Sequence, residues 1–253
     1  MKKLILGLLL IVFLFGCTQT QQTGQAQGRT VFTITDAAAN MGAVSSVMVT
    51  VDSVQAHSET QGWFTVSSTQ KTYDLLKLKA EGKQEVLTDI NLTEGTYNQV
   101  RLQISKVVVT DANGTHEAKL PSGELKIVGD FVVAANTTSV VKFDFVADES
   151  LHVTGNGKYI LAPVVQFETR DHAEVDVDSQ GKVEVRDGNV RTNVKVGMDI
   201  DGKVGVGLGV GSNQELEVDS AGKVKVKVGL GSSIGGSSRS ANASSETHVA
   251  VSV

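Results

Sequence analysis

Apolar and polar residues alternate over short stretches of this chain, and that alternation constrains its fold more than any other feature. Val31, Thr33 and Thr35 interleave with Phe32 and Ile34, and Val47, Val49 and Val51 share one face before the phase flips to Val54 and Ala56. Val100, Leu102 and Ile104 repeat the pattern, then flip to Val107 and Val109. A period of two sends successive side chains to opposite faces of a strand. A flip, as at Asp52-Ser53, marks a β-bulge or a strand that changes sheets. Further strands are expected at Trp63–Ser67, Tyr73–Leu78, Leu125–Val128, Val140–Val146 and Tyr159–Phe167. Turn signals fall between them at Glu94-Gly95, Asn113-Gly114, Pro121-Ser122-Gly123 and Gly155-Asn156-Gly157. No window of ten or more residues carries a 3.6-residue period. Short, evenly punctuated strands predict an all-β antiparallel sandwich.

Several blocks in this region resemble, in order, the DUF4382 family of prokaryotic surface proteins. They are the Thr35-Asp36-Ala37 opening, Val49 to His57 followed by Gly62-Trp63, and Tyr73-Asp74-Leu75-Leu76. Then come Gly95 to Leu102, Leu120-Pro121-Ser122-Gly123, Phe143-Asp144-Phe145 and Tyr159 to Val165. The resemblance covers about residues 29–168. It implies an immunoglobulin- or transthyretin-like sandwich, often lipid-anchored, and it implies no activity, because the family has no known function.

The N-terminus reads as a lipoprotein leader. Lys2 and Lys3 precede a nearly all-apolar run from Leu4 to Phe15, and Gly16 stands before Cys17, the single cysteine of the chain. A dozen helical residues span about 18 Å, short of the roughly 30 Å hydrocarbon core, which argues against a transmembrane helix. Cys17 is the expected lipidation site, and one acyl chain binds only marginally, so a stable anchor needs a diacyl-type modification. The protein is therefore expected to be exported and membrane-anchored, facing the extracytoplasmic side. Loss of Lys2 and Lys3 with the leader takes the formal net charge from −5 to −7. A mildly acidic chain disfavours nucleic acid as a partner.

The expected organisation is a leader over 1–16, a flexible Gln/Thr-rich linker over 17–28 and a sandwich over 29–169. Val/Gly-rich hairpin repeats over 170–230 and a disordered Ser/Gly-rich tail over 231–253 follow. The repeats are Asp178 to Val183, Asp199 to Val204 and Asp219 to Val224, with glycines at 181, 202 and 222. Asp187-Gly188 and Asp201-Gly202 read as two-residue hairpin turns. Val204, Val206, Leu208 and Val210 are expected on one strand face opposite Gly205, Gly207 and Gly209. The region is expected to pair with the sandwich edge or with another copy of the chain, giving self-association.

Candidate chemistry is sparse. Asp176, Asp178, Asp199 and Asp201 put carboxylates beside turns, where oxygens can gather around Ca²⁺, but the third ligand and following glutamate of an EF-hand loop are missing. Solvated turn aspartates are the favoured reading, and no metal or cofactor is expected. Asp144, Asp148 and Glu149 form a second acidic cluster, with Asp144 pointing away from Phe143 and Phe145. His57, His116, His152, His172 and His248 lack zinc-ligand spacing. No nucleophile elbow is present, and the Gly-rich 202–211 segment lacks the helix and the Gly-Lys-Ser/Thr ending of a phosphate loop. Trp63, Tyr73 and Tyr97 are read as core anchors, or else as a sugar-stacking platform. Glycosylation sequons at Asn91, Asn113 and Asn136 are expected in loops, with a fourth at Asn242. Asp36, Asp52, His57, Arg101 and Asp144 are the polar residues most worth locating. The chain is expected to be a non-enzymatic surface protein serving envelope assembly, adhesion or ligand binding. The alternatives are a glycan- or Ca²⁺-binding module and, third, a hydrolase built on two carboxylates about 5–9 Å apart.

Overall fold

The computed structural model describes residues 25–37, 41–210, 216–221 and 223–226. The leader, Cys17, most of the linker, the 231–253 tail, Asn242 and His248 lie outside these residues. The strands before the first helix are β1 (Gln27–Asp36), β2 (Ser46–Ser58), β3 (Gly62–Ser67) and β4 (Lys71–Asp74). Helix α1 (Leu75–Glu81) leads to β5 (Gln84–Thr93), β6 (Gly95–Asp111), β7 (Gly114–Glu117), β8 (Glu124–Val133) and β9 (Thr138–Phe145). A single helical turn, α2 (Ala147–Ser150), precedes β10 (Leu151–Val153), β11 (Tyr159–Leu161) and β12 (Val164–Asp171). Three hairpins close the described chain: β13 (Glu174–Val177) with β14 (Lys182–Arg186), β15 (Asn189–Met198) with β16 (Val204–Val206), and β17 (Leu216–Val218) with β18 (Val224–Val226).

The fold is an all-β sandwich. One sheet has eight strands in the order β13-β14-β5-β1-β9-β12-β15-β16. The other has six: β3-β2-β6-β7, with β4 also paired to β2 and β8 to β6. Among the described residues every strand ladder is antiparallel except β1 with β9; the isolated bridge of Lys119 with Ile160 is also parallel. Phe32, Leu102, Ile104, Ile127, Phe131, Phe143, Phe145 and Phe167 fill the space between the sheets. Tyr97 stacks on Phe131 at 4.7 Å between ring centroids, and Phe32 meets Phe131 edge-on at 5.8 Å. Both phase flips are bulges. The β2–β6 ladder pairs Thr50 with Lys106, Val51 with Ile104 and Ser53 with Gln103, which skips Asp52 on one strand and Ser105 on the other. The two skipped residues meet: the Ser105 hydroxyl donates to Asp52 Oδ1 at 2.7 Å, and Gln70 Nε2 donates to the same oxygen at 2.7 Å. Unpaired positions on facing strands thus satisfy each other.

Two expected strands are broken. The segment Tyr73–Leu78 stops being strand at Asp74, whose Oδ1 accepts from the backbone N–H groups of Leu76 and Lys77 at 3.2 and 3.4 Å and so caps α1. Gly82, at φ 59°, closes the helix. With Leu75 and Leu78 buried, this one-sided turn overrides the alternation. The segment Tyr159–Phe167 splits into β11 and β12 at Pro163, which has no N–H for a ladder. β5, α2 and the parallel pair were not legible as sequence patterns.

The first hairpin explains why β1 is buried on both faces. Arg186, at the end of β14, is two positions from Gly188 and stands beside β15, yet Lys182 at the other end pairs with Glu85 on β5. Between β15 and β5 lie β12, β9 and β1, so four strand spacings, about 19 Å, are crossed by a strand of about 17 Å. Contacts along the way agree: the Ala173 N–H donates to Thr138 O at 2.9 Å, and Arg29 Nη1 donates to Val175 O at 2.9 Å. The hairpin therefore lies across the outer face of the larger sheet. Val31 and Val140, adjacent in the β1–β9 register and facing away from Phe32 and Val141, are buried beneath it.

The repeat is a repeated loop. In each copy the first Asp carboxylate accepts from the N–H groups two and four residues on: Asp178 from Gln180 and Lys182 at 2.8 and 2.9 Å, Asp199 from Asp201 and Lys203 at 2.9 Å, Asp219 from Ala221 and Lys223 at 3.0 and 2.9 Å. Asp201-Gly202 is thus not a two-residue turn. It ends a three-residue loop with left-handed Gly202 at φ 79°, closed by Asp199 N to Lys203 O at 2.9 Å. Asp187 and Gly188 do take positive φ, 54° and 89°, but the strands they join belong to opposite parts of the sheet. β16 stops at Val206 because Gly207 turns to φ 72°, leaving Val206 72% exposed rather than on a continuous apolar face. Backbone approaches closely at Gly197, where a Cβ would collide with the Leu208 carbonyl, and not at Gly207 or Gly209, where a Cβ would meet nothing.

Candidate functional site

The outer face of the six-stranded sheet gathers two of the singled-out polar residues around the tryptophan. β2, β6, β3 and β8 are in register such that His57 faces Trp63 and Gln99, Gln55 faces Thr65 and Arg101, and Arg101 faces Lys126. Their neighbours Ala56, Val100 and Ile127 point into the core, so alternation sends these side chains outward. Trp63 is accordingly not a core anchor. The Arg101 guanidinium lies 4.1 Å above its ring centroid, within cation–π range, and the His57 ring is 5.2 Å away, tilted by 58°. His57 Nδ1 is 2.7 Å from Asn98 Oδ1; the amide oxygen accepts, so Nδ1 carries the proton. Arg101 Nη1 reaches Glu124 Oε2 at 3.2 Å and Gln55 Oε1 at 3.5 Å, while Nε is buried with no hydrogen-bond partner.

Past Asn98 the face runs into a polar cleft of about 530 Å³ between the β2–β3 and β5–β6 turns, lined by residues including Ser58, Gln61, Glu94, Thr96 and Asp130. Phe64, one residue beyond Trp63, packs against the core and meets Tyr97 at 5.9 Å. Tyr73 and Tyr97 are buried, their hydroxyls donating to Val86 O at 3.0 Å and Thr93 O at 2.8 Å. Burial raises both phenol pKa values. Trp63 is thus the aromatic side chain of the described residues that is set on an outer sheet face. Sequence reading singled out Trp63, His57 and Arg101 but missed Gln55, Asn98, Gln99, Glu124 and Lys126. The period-two register extended from His57 and Arg101 would have found Gln55 and Gln99.

The other candidates are placed elsewhere. Asp36 Oδ1 accepts from the Ala147 N–H at 3.0 Å, at the start of α2. Asp52 belongs to the double bulge. Asp144 stands on the outer face of the eight-stranded sheet opposite Gln166; burial raises its pKa, while Lys142 and Lys79 act against the shift. Glu168, held low by Arg170 and Lys142 against the opposing effect of burial, is its diagonal neighbour, and neither carboxylate lines any of the three main clefts among the described residues. Asp148 and Glu149 line a separate groove of about 820 Å³ with His152, Val153, Lys195 and Leu208, and Glu149 pairs with Lys195 at 2.6 Å. His116 and Tyr159 both bond Asp111, at 3.1 and 2.7 Å, and His172 lies 3.4 Å from Asp171.

Asp178 and Asp199 each spend a carboxylate oxygen on loop N–H groups, Asp176 pairs with Arg186, and Asp201 is exposed. The Asp178 and Asp199 carboxylates serve turn geometry. Among the described residues no three His, Cys, Asp or Glu side chains are grouped to hold a metal. No described helix is long and apolar enough to cross a membrane. Asn113 and Asn136 are exposed in loops, but Asn91 is a strand residue of β5 paired with Arg29, because that strand extends to Thr93.

No curated protein and no solved structure matches the chain. The family model for a domain of unknown function, DUF4382, matches residues 27–163, more than half of the 253 residues. It covers both sheets of the sandwich through β11 and includes Trp63, His57 and Arg101, which makes this chain a member of the DUF4382 family.

Proposed function

We propose that the protein is an exported, lipid-anchored and non-catalytic surface module that binds glycan through the outer face of its six-stranded sheet. The anchor is Cys17 after its short apolar leader, and the polar stretch between it and β1 spaces the sandwich from the membrane. One observation carries the binding half of this reading: Trp63 is set outward in a block of hydrogen-bonding side chains. An indole offers an apolar plane; the Gln55 and Gln99 amides, set by the β2–β6 register, and the Asn98 amide, bonded to His57, offer donors and acceptors around it. A sugar needs both, since its ring has C–H faces and a hydroxyl rim. His57 is oriented by Asn98 and packed on Trp63, an arrangement that holds a ligand in place.

A glycan array probed with the full-length protein and with Trp63→Ala tests the reading. The expected outcome is a defined set of bound glycans whose affinity falls roughly tenfold in the variant. An empty array, or identical profiles for both proteins, would refute it. Intact-mass analysis of the membrane fraction tests the anchor; an unmodified Cys17 thiol there rules it out.

A further inference from the structure

We infer that this face selects acidic glycans, with the Arg101 guanidinium taking the carboxylate of a uronic acid; this rests on the glycan-binding reading above. A guanidinium presents its donors on edges, and the edge formed by Nε and one Nη matches the two oxygens of a carboxylate. At Arg101 the protein uses only Nη1, for Glu124 and Gln55. Among the described residues the Nε–Nη2 edge has no hydrogen-bond partner, and Nε is a buried N–H left unmade. A buried unpaired donor is costly, more so on a charged group, and a carboxylate that binds at Nη2 and draws Nε out to it would remove that cost.

Two further observations fix the direction. The indole beneath Arg101 holds the guanidinium plane, so the unpaired edge is pre-oriented. Lys126 stands opposite Arg101 in the β6–β8 ladder, adding positive charge at this end. The cleft beyond Asn98 carries Glu59, Glu94 and Asp130 and is lined by no Lys or Arg. Charge therefore grades along the face: the acidic sugar belongs over Arg101, and neutral sugars belong toward the cleft. The chain is net negative, −5, so long-range attraction cannot supply the preference. It has to come from short-range contact at the guanidinium, where Glu124 is the resident competitor.

Titration calorimetry on the full-length protein tests this with three acidic oligosaccharides (oligogalacturonate, oligoalginate, oligohyaluronate) and three neutral ones (galactan, mannan and dextran oligomers). At least one acidic ligand is expected to bind tenfold or more tightly than every neutral one. Arg101→Gln should erase that preference while leaving neutral binding within twofold. Arg101→Lys, which keeps the charge without the fork, should lose most of it. Glu124→Gln, which leaves the guanidinium in place, should increase the preference; Trp63→Ala should weaken both classes. Neutral ligands binding as well as acidic ones, or a preference that survives Arg101→Gln, overturns the inference and leaves glycan binding standing. Binding to none of the six overturns both.

Discussion

Val31→Ala tests the least obvious feature of the fold, the hairpin β13–β14 laid across the larger sheet. Val31 points away from the core between the sheets, so its burial depends on that hairpin. If the hairpin packs there, the substitution removes two methyl groups from a fully enclosed site. Lost transfer free energy is then about 1.6 kcal/mol at about 0.8 kcal/mol per buried group, and the unrelaxed cavity adds up to about 1 kcal/mol. A cost of about 2 kcal/mol corresponds to a melting-temperature drop of about 4–8 °C in a chain of this size. Urea unfolding followed by tryptophan fluorescence reads the first quantity directly, because Trp63 is the one tryptophan of the chain. Val206→Ala, at a position 72% exposed in the same sheet, is the matched control and should change stability by less than about 0.5 kcal/mol. If Val31→Ala costs no more than Val206→Ala, the outer face of the larger sheet is open and the placement of the hairpin is wrong.

Further expectations concern the helix, acid stability and a buried histidine. Asp74→Ala should cost about 1 kcal/mol in the same urea assay, since it leaves the first N–H groups of α1 without their cap; Asp74→Asn should recover most of the loss. Asp111 is held down at about 2, first by the Tyr159 hydroxyl and then by Asn113 and His116, so its contribution is present above about pH 3.8 and lost as pH falls toward 2. Asp111→Asn should therefore flatten the acid limb of a stability–pH curve in that window, and an unchanged limb would contradict the assignment. Burial lowers the His152 pKa, so the unfolded chain binds the proton more readily and stability should decline as pH falls below about 6.5. His152→Gln should remove that slope, as read from melting temperatures between pH 7 and 5.

The sandwich was legible because alternation is a direct record of which side chains face the core, and the bulges showed as flips of that record at Asp52 and Ser105. α1 was hidden because Leu75, Leu76 and Leu78 suit strand and helix equally over so short a span. The deciding information was the Asp74 cap and the left-handed Gly82, both visible in the sequence as Asp74 and Gly82 flanking a lysine-rich turn. The path of β13–β14 was not legible. Its valines alternate like those of any edge hairpin, and only the positions of Lys182 against Glu85 and Arg186 beside β15 show that it crosses a sheet face. The candidate site was half legible: the residues could be named, but the sheet register joining Gln55, His57, Trp63, Gln99 and Arg101 required pairings among three strands.

That crossing hairpin also bears on where a ligand can bind. A sandwich has two outer faces, and here they are not equivalent. The hairpin covers part of the larger face, and Lys142 and Arg170 both pair with Glu168 on it, at 3.5 and 2.8 Å. Charges neutralised within a sheet offer a ligand little, because each contact must first displace an existing partner. The smaller face is built the other way. It keeps an indole and several amides at its surface, and a guanidinium with one edge unused, although the other nine aromatic side chains of the described residues pack inward or against the core. Leaving a tryptophan half-buried on an outer face forgoes part of a large burial gain, since aromatic side chains dominate core energetics. The Arg101 stack returns only part of that, about 0.5–1 kcal/mol for an exposed cation–π pair. Stability alone would have placed Trp63 where Phe64 sits, one residue on and turned into the core. Its outward setting therefore costs stability that its contacts with Arg101 and His57 return only in part.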